Sequence, residues 1–224
     1  MKKKIWRPAV LVLLLYGVAV LLYVGTCLFG FMQVNSLAAK GKLQTQPLTL
    51  QNFTQNSIIV LEDEAGKQRF VSTDPDPQLI YATGAPFNVG RVTFTATPHK
   101  PGGEIVLYYA QNENYAETGF SEKNKLWARQ APSGEWFFDL NGKQVTALRL
   151  DPDTTGGVVW VVNSIVLNAP KPTTAYFVPD AFAIFWLVAV PPFAAAVVLL
   201  LRQLALDGKK LAKNDTPNTE ASTD

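Results

Sequence analysis

The sequence predicts an all-β antiparallel sandwich held between two membrane-spanning helices, and three observations predict it. Two apolar runs, 8–32 and 181–201, contain 25 and 21 residues without a charged side chain. Between them, short segments rich in β-branched and aromatic residues alternate with clusters of Gly, Pro, Asn and Asp, the pattern of a sandwich or barrel. No long segment of this middle region repeats its apolar residues at helical spacing.

Each apolar run is long enough to cross a hydrocarbon layer of roughly 30 Å. Lys2, Lys3, Lys4 and Arg7 precede the first, Arg202, Lys209 and Lys210 follow the second, and 33–180 carries 12 basic against 14 acidic residues. Positive charge marks cytoplasmic flanks, so both termini are expected in the cytoplasm of a two-pass cell-membrane protein, with the middle domain outside. A cleaved signal peptide is the rival reading, with Ser36-Leu37-Ala38 as a small-residue cleavage site. The first run exceeds the ~7 to 15 apolar residues of a signal core, which favours a retained helix. Cys27 follows Thr26 and the apolar run continues beyond it, so it reads as a helix residue and not as a lipid attachment point.

The expected boundaries are a cytoplasmic N-terminus at 1–7, helices at 8–32 and 181–201, polar connectors at 33–47 and 169–180, a folded unit at 48–168, and a cytoplasmic, disordered tail at 202–224, most polar over 214–224. A formal net charge of +2 points to no nucleic-acid partner. With one cysteine in the chain, the outer domain has no disulfide or thiolate metal site, and burial alone must hold it together. Pro191-Pro192 removes two backbone donors from the second span and should kink it. Such breaks are tolerated where another helix restores the lost bonds, which implies a helix partner. Neither run contains a charge that an ion or proton path would need.

Within the outer domain, Ser57–Leu61 and Gln68–Ser72 read as a hairpin around 62–67, where Gly66 supplies positive φ. In Arg91–Thr97 the alternation sends Val92, Phe94 and Ala96 to the core and Arg91, Thr93 and Thr95 to water. Further strands are expected at 104–111, 125–129, 135–140, 145–150 and 158–167, separated by turns at Ser133-Gly134, Asn141-Gly142 and Gly156-Gly157.

The chemistry-bearing residues are few. His99 is the only histidine and stands in a Pro/Gly-rich turn, so no His pair or Ser-His-Asp arrangement exists. Asp74-Pro75-Asp76 and Asp151-Pro152-Asp153 offer carboxylates at spacing two, the kind of oxygen ligands a structural calcium ion takes, although Asp before Pro is first of all a turn former. Two carboxylates would also serve glycoside hydrolysis, but sequence spacing does not set the pair across a cleft, and no nucleophile motif is present, so a non-enzymatic protein without a cofactor is expected. Aromatic residues concentrate in 104–140. Tyr108 and Tyr109 cannot share a face of one strand, nor can Trp136 and Phe137, so part of this set is core. Tyr115 lies in a loop rich in amide side chains, where a sugar site finds its hydrogen-bonding groups. The expected ligand-contacting residues are therefore Asn112, Asn114, Tyr115, Trp127 and Arg149. For Arg149, flanked by Leu148 and Leu150, pairing with a carboxylate is the preferred alternative.

The run Ala147-Leu148-Arg149-Leu150-Asp151-Pro152, followed by Gly156-Gly157 and the apolar strand Val158–Leu167, resembles the last two strands of jelly-roll modules attached to bacterial surface-polysaccharide glycosyltransferases. The direct match covers about 20 residues. Those modules look like carbohydrate-binding domains, so the resemblance implies a jelly-roll-like sandwich and an accessory role in a bacterial cell envelope, with polysaccharide or a membrane glycosyltransferase as partner. No glycosyltransferase domain accompanies it. A structural or assembly subunit that binds no sugar is the alternative.

Overall fold

The computed structural model describes residues 8–62, 67–100, 102–112 and 114–214. The expected N-terminal segment 1–7, the hairpin turn at 63–66 and the tail 215–224 lie outside the described residues. The chain divides into two compact units, one holding the chain up to Leu28 and from Phe177 onward, the other Phe29–Tyr176.

The first unit holds α1 (Pro8–Ala39) as far as Leu28 and, after the single turn α2 (Tyr115–Thr118) of the other unit, α3 (Ala181–Asn214). Both are long and apolar enough to cross a membrane. The half-covered positions of α1 include Val12, Tyr16, Ala19, Tyr23 and Cys27, which recur every three or four residues, the spacing of one helix face. In α3 the covered positions include Pro191 and Ala195. The helix runs through Pro191 and Pro192. Proline at 192 has no N–H for the Val188 carbonyl, and the Tyr16 hydroxyl donates to that oxygen at 3.0 Å. The neighbouring helix that restores the bond is the chain's own α1.

The second unit is an antiparallel sandwich built from one ten-stranded sheet among the described residues. Its strands are β1 (Gln46–Leu48), β2 (Thr54–Asn56), β3 (Ile58–Glu62), β4 (Gln68–Ser72), β5 (Gln78–Pro98), β6 (Val106–Ala110), β7 (Lys125–Trp127), β8 (Arg129–Gln130), β9 (Trp136–Asp151) and β10 (Val159–Leu167). The main path runs β3-β4-β10-β5-β9-β6-β7, with β1 on β10, β2 on β5 and β8 on β9. The hairpin of β3 and β4 is as expected.

Two expected boundaries fail for one reason, the length of β5 and β9. Asn141-Gly142 is not a turn between strands: both residues have positive φ, 53° and 83°, yet β9 continues through them. The strand pairs with the second half of β5 before this point and with the first half after it. The backbone that would close a hairpin here bends one long strand instead. Likewise β5 begins at Gln78, thirteen residues before the expected start, and shifts register between Val89 and Arg91.

These shifts keep apolar side chains inside. In β5 the core takes odd positions, Leu79, Tyr81 and Val89, and then even ones, Val92, Phe94 and Ala96. In β10 it takes Trp160 and Val162, and past the shift between Val162 and Ser164 it takes Ile165 and Leu167. One inserted residue reverses which face a side chain meets, so each bulge restores the inward set.

The expectation that Arg91 and Thr93 face water is corrected. Both are buried, because the other face of β5 is covered as well. Arg91 lies opposite Asp139 on β9 and donates to both its carboxylate oxygens, at 2.7 and 3.1 Å, with its guanidinium 4.3 Å from the Phe137 ring centre. The connectors are also more structured than expected. The first continues α1 to Ala39 and then forms β1. The second contains a helical turn, Thr173–Tyr176, with the Tyr176 ring edge-on to Phe31 at 5.4 Å. The expected tail remains helical to Asn214.

Candidate functional site

One open groove of about 430 Å³ gathers three tryptophans. It lies between the segment Gly102–Ile105, which enters β6, and the edge strands β7 and β8, with Trp136 of β9 and Trp160 of β10 at its base. Alternation along β7 explains the division of labour there. Leu126 packs on the core, whereas Lys125 and Trp127 take the opposite face. Trp127 is 61% exposed, its indole N–H reaches Glu104 Oε2 at 3.4 Å, and Lys125 Nζ sits 5.4 Å from the ring centre. Trp160 and Trp136 meet edge-on at 5.8 Å, which fixes the base.

The rim is held by close backbone approach. Gly103 donates its N–H to Asp153 Oδ1 at 2.7 Å, and Thr155 donates to the same oxygen at 2.8 Å. A Cβ on Gly103 would stand 1.7 Å from Thr154 Oγ1 and 2.8 Å from the Thr154 backbone nitrogen, so the segment fits only as glycine. A Cβ on Gly102 would stand 3.2 Å from both Trp160 Cζ2 and Asp153 Oδ1, a tight contact. Two buried polar atoms there, Trp160 Nε1 and Asp153 Oδ2, have no hydrogen-bond partner among the described residues. Chemically, the groove offers an accessible indole, a carboxylate on Glu104 and an amide on Gln130, a set that stacks on a flat apolar face and hydrogen-bonds hydroxyls around it.

The five sequence-predicted contact residues do not form one site. Trp127 alone reaches this groove. Asn112, Asn114 and Tyr115 lie past the other end of β6, roughly 20 Å of strand away at 3.3 Å per residue. There the loop is structured by itself: the Asn112 amide donates to Thr118 Oγ1 at 3.0 Å, Asn114 precedes α2, and the Tyr115 ring packs on Phe120 at 5.7 Å. Arg149 is committed to carboxylates. Its Nε and Nη2 donate to the two oxygens of Asp151 at 2.7 Å each, and Nη2 reaches Asp76 Oδ1 at 2.6 Å, above the ring of Tyr108.

That pairing also accounts for the two Asp-Pro-Asp motifs. Asp74 accepts from the Asp76 N–H and Asp153 from the Thr155 N–H, both two residues on, the turn-forming role of Asp. A guanidinium stands between Asp76 and Asp151, where a calcium ion would have to lie. Among the described residues no cluster of three metal-ligating side chains forms. Burial pushes the Asp151 carboxyl up to about 6 against the pull of Arg149. Asp139 is buried too, yet Arg91 and Lys171 overcome burial and hold it below the ordinary range. The difference follows from the number of cations: Asp139 has three in contact, while Asp151 shares one with Asp76.

Sequence reasoning missed Glu104, Gln130 and the Gly102-Gly103 rim. The glycine pair was visible beside His99, but nothing in the sequence places it against Asp153.

No protein-family model and no curated protein matches the chain. Among solved structures it is similar to a low-affinity xylan-binding module from the gut symbiont Roseburia intestinalis, with 13% identity, 55% of this chain and 94% of that chain covered, and a TM-score of 0.37. It is similar also to the C-terminal carbohydrate-binding module of a laminarinase from the marine Zobellia galactanivorans (13% identity, 55% and 98% covered, TM-score 0.36). A fucose-binding module from Streptococcus pneumoniae aligns at 11% identity over 55% of this chain and 96% of its own, with a TM-score of 0.40.

Proposed function

We propose that this chain is a two-pass protein of a bacterial cell membrane whose outer β-sandwich binds carbohydrate without turning it over, at the groove of Trp127, Glu104 and Gln130. The observation that carries the reading is Trp127. It is a large aromatic side chain left 61% exposed on an edge strand, and it stands beside a carboxylate and an amide in a concave surface. A sugar ring presents an apolar C–H face to such an indole and hydroxyls to the groups around it. The two apolar helices, with basic residues before the first and after the second, support anchoring with both ends in the cytoplasm and the sandwich outside. A membrane glycosyltransferase that elongates the bound polysaccharide is the partner this arrangement would serve.

The test is a glycan array probed with the full-length protein in nanodiscs, wild type beside Trp127→Ala. The reading expects selective binding to a class of envelope glycans that the variant loses. A wild-type protein that binds no glycan while capturing an integral membrane enzyme in cross-linking would favour the assembly-subunit alternative.

A further inference from the structure

A second cavity, of about 280 Å³, opens where both connectors meet the sheet. Its walls include Asn35 of α1, Thr45, Arg91 of β5, Asn168, Lys171 and Tyr176. It is far larger than the ~30 Å³ share of one liquid water and holds a group of several heavy atoms.

The charge behind this cavity does not balance. Asp139 accepts from Arg91, from Arg129 Nη2 at 2.8 Å and from Lys171 Nζ at 3.0 Å. Among the described residues none of these three cations pairs with any other carboxylate, so the cluster carries two surplus positive charges. Two of the three are nearly enclosed, with side-chain exposures of 9% for Arg91 and 10% for Lys171. Enclosing unneutralised charge is costly, and the cost appears at Lys171, whose ammonium burial destabilises, with Arg91 and Arg129 adding repulsion against the attraction of Asp139.

Donors remain for an anion. Arg91 Nη1 makes no hydrogen bond among the described residues, and its guanidinium plane is fixed by Asp139 and Phe137. Lys171 Nζ is held 4.1 Å from the Tyr176 ring centre, and besides Asp139 it reaches Asn141 Oδ1 at a long 3.5 Å. A guanidinium N–H edge beside an ammonium suits the oxygens of a phosphate.

We infer that this cavity is a binding site for a phosphate ester of net negative charge, with Arg91 and Lys171 as its donors and Arg129 completing the charge. Two of its walls lead in sequence directly into the apolar helices: Asn35 lies on α1 itself, and Tyr176 precedes α3 by five residues. An anionic lipid headgroup is therefore one source of the phosphate; a soluble phosphate ester carries the same chemistry. The tryptophan groove shares no residue with this site.

The test uses the full-length protein in phosphatidylcholine nanodiscs, titrated with dihexanoyl phosphatidylglycerol, dihexanoyl phosphatidylcholine and glycerol 1-phosphate, with calorimetry as the readout. Saturable binding of the phosphatidylglycerol at least tenfold tighter than the choline lipid is expected, lost tenfold or more in Lys171→Met and kept within about threefold in Lys171→Arg. Competition by glycerol 1-phosphate supports the site with a soluble ester as its source; binding of the lipid alone supports a headgroup. Arg129→Gln, on a half-exposed side chain, is the second variant should Lys171→Met fail to fold, and it too should weaken binding. Equal affinity for the two lipids, or unchanged binding in a folded Lys171→Met or Arg129→Gln protein, would overturn the inference.

Discussion

The Tyr16 hydroxyl donates to the Val188 carbonyl at 3.0 Å, and Val188 is the residue whose carbonyl loses its helical donor to Pro192. The chain's own α1 thus supplies one of the two donors that the proline pair removes from this apolar helix.

Tyr16→Phe keeps the ring and removes only the donor. Hydrogen bonds between helices in a membrane contribute on average about 0.6 kcal/mol and at most about 1.7. The variant should weaken the α1–α3 pair by an amount in that range, read as a lowered unfolding free energy in bicelles, whereas Tyr23→Phe, at a longer 3.4 Å contact to the Phe177 carbonyl, should cost less.

The two buried aspartates should respond to pH with opposite signs. Asp139 is depressed below its ordinary 3.8, so its contribution is present above that value and is lost as pH falls through the depressed one. Asp151 is raised to about 6, so its contribution is complete below 3.8 and is lost as pH rises through about 6. Comparing unfolding free energies across pH 3 to 8, Asp151→Asn should gain on the wild type as pH rises from about 4 to 6. Asp139→Asn at pH 7 leaves three cations without their carboxylate and should cost about 3–5 kcal/mol, more than Asp151→Asn.

Gly103→Ala should deform the groove rim. Its Cβ meets a backbone nitrogen as well as Thr154 Oγ1, so trimming the threonine cannot make room. A loss of about 1–3 kcal/mol is expected, the usual cost of forced overpacking. Thr154→Ala in the same chain should fail to restore the wild-type melting temperature.

Much of the fold was legible in the sequence because its signals are local. Two uncharged apolar runs define the helices, and alternation at Val92, Phe94 and Ala96 defines the best strand. What escaped depends on partners distant in the chain. Asn141-Gly142 has turn chemistry, but whether positive φ closes a hairpin or bends a strand depends on whether β5 is long enough to pair on both sides. Arg91 reads as a solvent-facing position until Asp139 is known to lie opposite it, 48 residues away. The site suffered in the same way. Amides and Tyr115 in one loop looked like a binding surface, yet the loop satisfies itself through Asn112 and Thr118, while Trp127 acquires Glu104 and Gln130 only through strand pairing at the sheet edge.

The most direct test of the central claim is a titration of the full-length protein with the glycan class that an array selects, comparing wild type, Trp127→Ala and Tyr115→Ala. The groove account predicts that Trp127→Ala weakens binding at least tenfold, about 1.4 kcal/mol, while Tyr115→Ala leaves it unchanged. Binding that survives loss of Trp127, or that disappears with Tyr115 instead, would contradict it.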